Sequence, residues 1–269
     1  MPPPPAVVAS DLDGTIVRSD GAISLRTKQA LALVEAAGAL VVLVTGRPPR
    51  WMSDIAARTG HRGLAVCANG AIVYDLHTEQ VVQSHPLGPQ VARELVARLR
   101  AAIPGLGFAV ETEDARFGHE PVYRPRWVNT DAIVADIDTL LATPLAKLLA
   151  RHEEIGPDEL LALARAVVGD EAATITHSSR DGLLEIAAPG VSKATTLAGL
   201  VGRCGHDAAD VVAFGDMPND LPMLAWAGYA VAVANAHPDV LAAADEVTAS
   251  NDDDGVASVL ERLFAQRSP

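Results

Sequence analysis

The sequence predicts an α/β protein: a doubly wound, mostly parallel sheet interrupted by an inserted α+β module. Three observations predict it. Short apolar runs alternate with helical patterns from Ala6 to Ala68, the same rhythm resumes after Ser192, and between them lies a differently patterned stretch bounded by Pro86-Leu87-Gly88-Pro89 and Ala188-Pro189-Gly190-Val191. Strands separated by helices imply right-handed crossovers between parallel neighbours. The expected division is therefore residues 1–85 with 190–269 as one domain and residues 86–189 as the insertion.

In chain order, the first apolar run opens at Ala6 and carries Asp11 at its carboxyl end. Ser24 suits a helix cap and Gly38 the stop of that helix, whose apolar face is Ala30, Leu33, Val34 and Ala37. A buried strand is expected over Ala39–Val44, a helix from Pro48 to about Arg58, and a third strand over Leu64–Ala68. Ala71–Tyr74 and Gln80–Ser84 read as a hairpin. Inside the insertion, helices are expected over 89–102 and 157–168. Strands are expected over Phe108–Glu111, Lys147–Leu149, Ala173–His177 and Leu183–Ala187. Arg116–Arg126 reads as irregular because of Pro121 and Pro125, and Glu111, Glu113 and Asp114 as a solvated acidic turn. After Ser192 come a helix through Cys204, a strand over Val211–Phe214, a helix through Ala225, a strand over Tyr229–Ala234, a helix over 238–244, a short strand over Glu246–Thr248 and a closing helix from Gly255 to Phe264.

Composition narrows the function classes. Of 269 residues 49% are hydrophobic, which supplies a sizeable core, and with aromatics at 4% that core must be mostly Val, Leu and Ala. A net charge of −13 disfavours nucleic acid and anionic membrane as partners. It leaves room for a small phosphorylated ligand, which a local cluster of cation, lysine and helix N-terminus can hold. Cys67 and Cys204 lie in apolar settings and are expected to be free, buried thiols. The eight histidines are not spaced like a zinc set. Met-Pro-Pro-Pro-Pro reads as a short extended lead without the character of a signal peptide, and no stretch is apolar enough to span a membrane, so a soluble cytoplasmic protein is expected.

Four places carry chemistry. Asp11 and Asp13 stand two apart at a strand end, so they are expected to point roughly the same way; two close like charges call for a hard cation such as Mg²⁺. Thr45, with the Gly46 amide, follows a second apolar strand and offers donors to an anion. Lys193 opens a helix, where the macrodipole disfavours a cation, and a bound phosphate would account for it. Asp216 and Asp220 stand four apart after another buried strand, with Asn219 between them. Taken singly, each has an ordinary structural reading as turn, surface lysine or helix cap. Together, three of the four follow buried strands, where open α/β sheets place their ligands.

The set resembles a known family. Asp11-Leu12-Asp13-Gly14-Thr15, Thr45-Gly46-Arg47, Lys193 and Gly215-Asp216-Met217-Pro218-Asn219-Asp220 are similar to the four motifs of the haloacid-dehalogenase-like hydrolases. Ala68-Asn69-Gly70-Ala71, the position of the insertion and Asn251-Asp252-Asp253-Asp254-Gly255-Val256-Ala257 look more narrowly like the Cof-type phosphatases. One departure is Ala194, where relatives often have glycine. The resemblance implies a Rossmann-like core with an inserted α/β cap, and a Mg²⁺-dependent phosphatase acting on a small phosphorylated metabolite such as a sugar phosphate or phosphorylated cofactor. It implies Asp11 as nucleophile forming an aspartyl-phosphate, and Asp13 as general acid and base. Mg²⁺ would be held by the Asp11 carboxylate, the Asp13 backbone carbonyl and Asp216, with Asp220 in support. Thr45, Gly46, Lys193 and Asn219 would hold the phosphate. Arg116, His119, Tyr123, Arg124 and Arg180 are candidate contacts to the leaving group. The alternatives are a phosphotransferase or phosphomutase of the same superfamily, and a non-catalytic regulatory homologue.

Overall fold

A computed structural model describes residues 5–126, 131–169 and 171–264. The chain divides into two compact units, Met1–Val82 with Lys193–Pro269, and Gln83–Ser192. Residues 1–4, most of the proline lead read in the sequence, lie outside the described residues.

In the first unit, β1 (Val7–Ser10) is followed by α1 (Leu25–Ala36), β2 (Leu40–Val44), a 3₁₀ turn at Pro49–Trp51, α2 (Met52–Thr59), β3 (Leu64–Cys67), β4 (Ile72–Asp75) and β5 (Gln80–Ser84). Ser24 caps α1 by accepting the Thr27 N–H. The insertion supplies α3 (Pro89–Ala102), β6 (Gly107–Thr112), β7 (Phe117–His119), β8 (Ile133–Val134), α4 (Ile137–Leu140), β9 (Leu145–Arg151), α5 (Pro157–Val168), β10 (Thr174–Thr176) and β11 (Leu183–Ala187). The first unit then resumes with α6 (Lys193–Arg203), β12 (Val211–Gly215), α7 (Leu221–Trp226), β13 (Tyr229–Val233), α8 (Pro238–Ala243), β14 (Glu246–Thr248) and α9 (Gly255–Phe264).

The eight strands of the first unit run in the order β14-β13-β12-β1-β2-β3-β4-β5, and every pair from β14 to β3 is parallel. β3 and β4 are antiparallel. The central strands are buried throughout, Val7-Val8-Ala9 and Val212-Ala213-Phe214 among them, as a sheet with helices on both faces requires. α1 packs on α9 and α2, while α6 packs on α7, which packs on α8. From β1 the chain moves outward through β2 and β3, then returns to β12 on the other side of β1. The strand order therefore reverses at the β1/β12 boundary, the kind of place where open α/β sheets bind ligands at their carboxyl ends.

The second unit is a six-stranded sheet in the order β10-β11-β9-β6-β7-β8, antiparallel except for the β7/β8 pair. α3 and α5 contribute Leu95, Leu99, Leu160 and Ala164 to one core with Phe108, Val110, Leu148, Leu184 and Ile186 of the strands.

Several expectations need correction. β7 runs through the segment read as irregular: Phe117 is interior and pairs across to Glu111, so burial settles the strand ahead of the two prolines that follow it. Glu111 is itself buried rather than part of a solvated turn, while Asp114 turns outward to Arg116 at 2.7 Å. Tyr123, a candidate contact to the leaving group, is interior against Phe117 and Leu149. Cys67 is buried as expected, whereas Cys204, just past the end of α6, is exposed. Among the described residues, no helix is long and apolar enough to cross a membrane.

Phe214 is fully buried at the centre of the parallel sheet. Phe214→Ala is expected to cost about 3–5 kcal/mol, read as a lowered urea midpoint; an unchanged midpoint would contradict this packing.

Candidate active site

Asp11 follows β1 directly. Its N–H donates to the Phe214 carbonyl at 3.0 Å, which carries the sheet ladder one residue past the strand and holds Asp11 beside the end of β12. The chain then leaves the extended conformation: the Leu12 carbonyl accepts the N–H groups of Thr15, Ile16 and Val17 at 3.2, 3.0 and 2.8 Å. This turn separates the two aspartates. Asp11 is buried and Asp13 is exposed.

Lys193, the first residue of α6, is completely buried, and its Nζ donates to Asp11 Oδ1 and Asp220 Oδ1, both at 2.6 Å. Asp220 belongs to a 3₁₀ turn, Pro218–Asp220, that leads from β12 into α7. Its second oxygen accepts the N–H groups of Asp216 and Met217 at 3.1 Å each. Asp216 Oδ1 accepts the Thr15 hydroxyl at 3.3 Å. Oxygens of Asp11, Asp216 and Asp220 all lie within 4.8 Å of one another.

Glycines make the close approach possible. A Cβ on Gly215 would stand 2.6 Å from the Cβ of Asp220. Gly14 has φ +80°, and a Cβ there would collide with the Asp216 carboxylate.

Three carboxylates facing one ammonium leave a buried excess of negative charge. Burial pushes the Asp11 pKa up, Asp220 and Asp13 push it further, and Lys193 only partly opposes them. The Asp216 pKa is likewise raised, by burial first and then by the charges of Asp11 and Asp220. Burial disfavours the charge on Lys193, but the two carboxylates outweigh it and raise its pKa. Carboxylate oxygens gathered in this way could hold a hard divalent cation.

Thr45 ends β2, with its N–H on the Val66 carbonyl at 2.8 Å and its hydroxyl accepting the Arg47 N–H at 3.1 Å. Gly46 lies between them, half-buried. Arg47 turns back to Asp13, with Nε and Nη2 on its two oxygens at 2.7 and 2.5 Å. Asn219 is buried and donates to Asn69 Oδ1 at 3.0 Å. Asn69 and its neighbour Ala68 hold left-handed φ values of +56° and +49°. The Thr45 and Arg47 carbonyls hold that turn by accepting the N–H groups of Asn69 and Ala68, at 3.0 and 2.9 Å. Strained backbone in non-glycine residues persists where surrounding contacts over-determine it. Neither Asn69 Nδ2 nor Asn219 Oδ1 has a hydrogen-bond partner among the described residues, so an unused donor and an unused acceptor remain enclosed here.

Lys193 thus bonds Asp11 and Asp220 directly, with an oxygen of Asp216 within 4.8 Å of theirs. Thr45 and Gly46 sit at the end of β2, the strand next to β1. Asn219 is joined to the Asn69 turn. Asp13 is held by Arg47 instead. The motif containing Arg47 was visible in the sequence, but nothing in it revealed the Asp13 partner 34 positions away. The Asn-Gly dipeptide closing β3 was the available signal for Asn69.

Lys193→Met would leave Asp11 and Asp220 buried without their counter-charge. It is expected to destabilise the protein by about 3–5 kcal/mol, measured by urea unfolding; a wild-type midpoint would show that the ammonium does not hold this cluster.

Comparison with known proteins agrees with this geometry. The haloacid dehalogenase-like hydrolase family matches residues 8–260. The 5-amino-6-(5-phospho-D-ribitylamino)uracil phosphatase YitU of Bacillus subtilis (strain 168) is 28% identical over 269 residues, covering 97% of this chain and 98% of its own. The pyridoxal phosphate phosphatase YbhA of Escherichia coli (strain K12) is 28% identical over 273 residues, covering 94% of this chain and 97% of its own. The crystal structure of SMU.1108c from Streptococcus mutans UA159 shares the fold with a TM-score of 0.84 at 22% identity, over 97% of this chain and 99% of that one.

Proposed function

The chain belongs to the haloacid dehalogenase-like hydrolases, and on that footing we propose that it is a Mg²⁺-dependent phosphatase of small phosphorylated metabolites. The observation that carries the reading is the buried cluster of Asp11, Lys193, Asp216 and Asp220 at the carboxyl ends of β1 and β12. Two relatives of nearly the same length, named as phosphatases of small phosphorylated compounds, support it.

Asp11 acts as nucleophile. Its carboxylate oxygen forms a bond to phosphorus as the bond to the leaving oxygen breaks, giving an aspartyl-phosphate. Asp13 donates a proton to the departing alkoxide. It then takes one from the water that attacks phosphorus, and Asp11 leaves as a free carboxylate. The different surroundings of the two aspartates suit these roles, since the buried one sits against Lys193 and the exposed one can exchange protons.

Asp11, Asp216 and the Asp13 backbone carbonyl are the proposed Mg²⁺ ligands. Asp220 supports them, because its oxygens already serve Lys193 and two backbone N–H groups. When bound, the cation supplies charge stabilisation at the transferring phosphoryl group. Thr45, the Gly46 amide, Lys193 and Asn219 hold the phosphoryl oxygens. Arg47 must exchange its hold on Asp13 for substrate or solvent when Asp13 moves its proton.

Asp11→Asn is expected to abolish hydrolysis of p-nitrophenyl phosphate while leaving the circular dichroism spectrum unchanged; retained turnover would remove Asp11 from the nucleophile's role. EDTA is expected to inactivate the enzyme and excess Mg²⁺ to restore it, with release of free phosphate as the readout. Activity indifferent to chelation would rule the cation out of the reaction.

A further inference from the structure

The segment Asn251–Asp254 stands out in the sequence, yet none of its residues belongs to the reactive cluster. Asn251, Asp252 and Asp254 each reach the stretch that follows Asp11. Asn251 is buried, and its Nδ2 donates to the Val17 carbonyl at 3.0 Å. Its backbone N–H donates to Asn235 Oδ1 at 2.9 Å, and Asn235 Nδ2 donates to the Gly14 carbonyl at 2.8 Å. The two asparagines therefore form a relay that grips the loop at both ends.

The acidic turn extends the grip. Asp252 accepts the Ser19 N–H and the Ser19 hydroxyl, both at 2.8 Å, and Asp254 pairs with Arg18 at 2.8 Å. Asn235 lies just past the end of β13 and Asn251 just past the end of β14. Two outer strands of the parallel sheet thus brace a loop that starts from its centre.

The braced loop carries Asp13, the Gly14 backbone that fits against the Asp216 carboxylate, and Thr15, which donates to Asp216. A loop released at Gly14 and Val17 would move all three. We propose that Asn235 and Asn251 are positioning residues that fix the Asp13–Val17 loop for cation binding at Asp216 and proton transfer at Asp13. This rests on the roles proposed above for those two aspartates. Asparagine suits the relay because it donates and accepts at once. Aspartate at either position keeps the size, loses the donor and turns a carboxylate oxygen toward a backbone carbonyl.

Asn235→Asp and Asn251→Asp test the relay by two independent readouts. Calorimetric titration with Mg²⁺ alone is expected to give a dissociation constant raised about 10–100-fold, the usual cost of losing an outer support of a ligand set. With p-nitrophenyl phosphate at saturating Mg²⁺, kcat is expected to fall while KM stays near the wild-type value. Variants that fold with wild-type Mg²⁺ affinity and kcat overturn the proposal, as do variants that lose only thermal stability. If both fail to fold, Asp252→Asn, at the exposed end of the brace, decides the matter: a raised Mg²⁺ constant supports the relay, and an unchanged one overturns it. A wild-type protein that binds Mg²⁺ yet hydrolyses no phosphate ester would defeat the proposed function, while the titration arm would still judge the brace.

Discussion

A lysine ammonium enclosed between two carboxylates is the constraint that the parallel-sheet unit is built around. Lys193 has no exposed surface and lies 2.6 Å from an oxygen of both Asp11 and Asp220. A buried charge of this kind persists only when it is paired and hydrogen-bonded. It also opposes the macrodipole, since it opens α6 at the end where partial positive charge gathers. The carboxylates that offset both penalties must therefore be delivered by the sheet, one after β1 and one in the turn after β12. The parallel pairing of those two strands brings the turns side by side.

The surrounding local structure follows from that demand. Gly215 lets Asp220 close on the strand end, and Gly14 leaves space for Asp216. The 3₁₀ turn at Pro218–Asp220 presents backbone N–H groups to the Asp220 oxygen that Lys193 does not use. Burial first, and then the neighbouring carboxylates that one lysine does not balance, raise the pKa values of Asp11 and Asp216. Such a group of carboxylates could hold a cation. Asp13, exposed and paired with Arg47, has different surroundings from the buried Asp11 two residues before it.

Much of this was legible in the chain. Asp11, Thr45 and Asp216 each stand at the end of a mostly apolar run, and such runs end at the ligand edge of a parallel sheet. Lys193 was conspicuous because a cation at a helix start is locally unfavourable. The helices over 89–102 and 157–168 kept their expected bounds because proline at the first position and the apolar period agree. Features that depend on distant partners were not legible. The outward turn of Asp13 depends on Arg47, and the use of Asn235 depends on Gly14 and Asn251, residues 221 and 16 positions away. Strand β7 was hidden because Phe117 is one apolar residue among polar neighbours, and only pairing to β6 decides its state. Cys204 stands just beyond the last turn of α6, between Arg203 and Gly205, and is exposed there.

The central claim is covalent: the phosphoryl group passes through Asp11. The most direct measurement is borohydride reduction of the enzyme quenched during turnover of p-nitrophenyl phosphate, followed by peptide mass mapping. An aspartyl-phosphate is reduced to homoserine, so the account predicts homoserine at position 11 only when substrate and Mg²⁺ are both present. Turnover with an unmodified Asp11, or with reduction at another carboxylate, would contradict it.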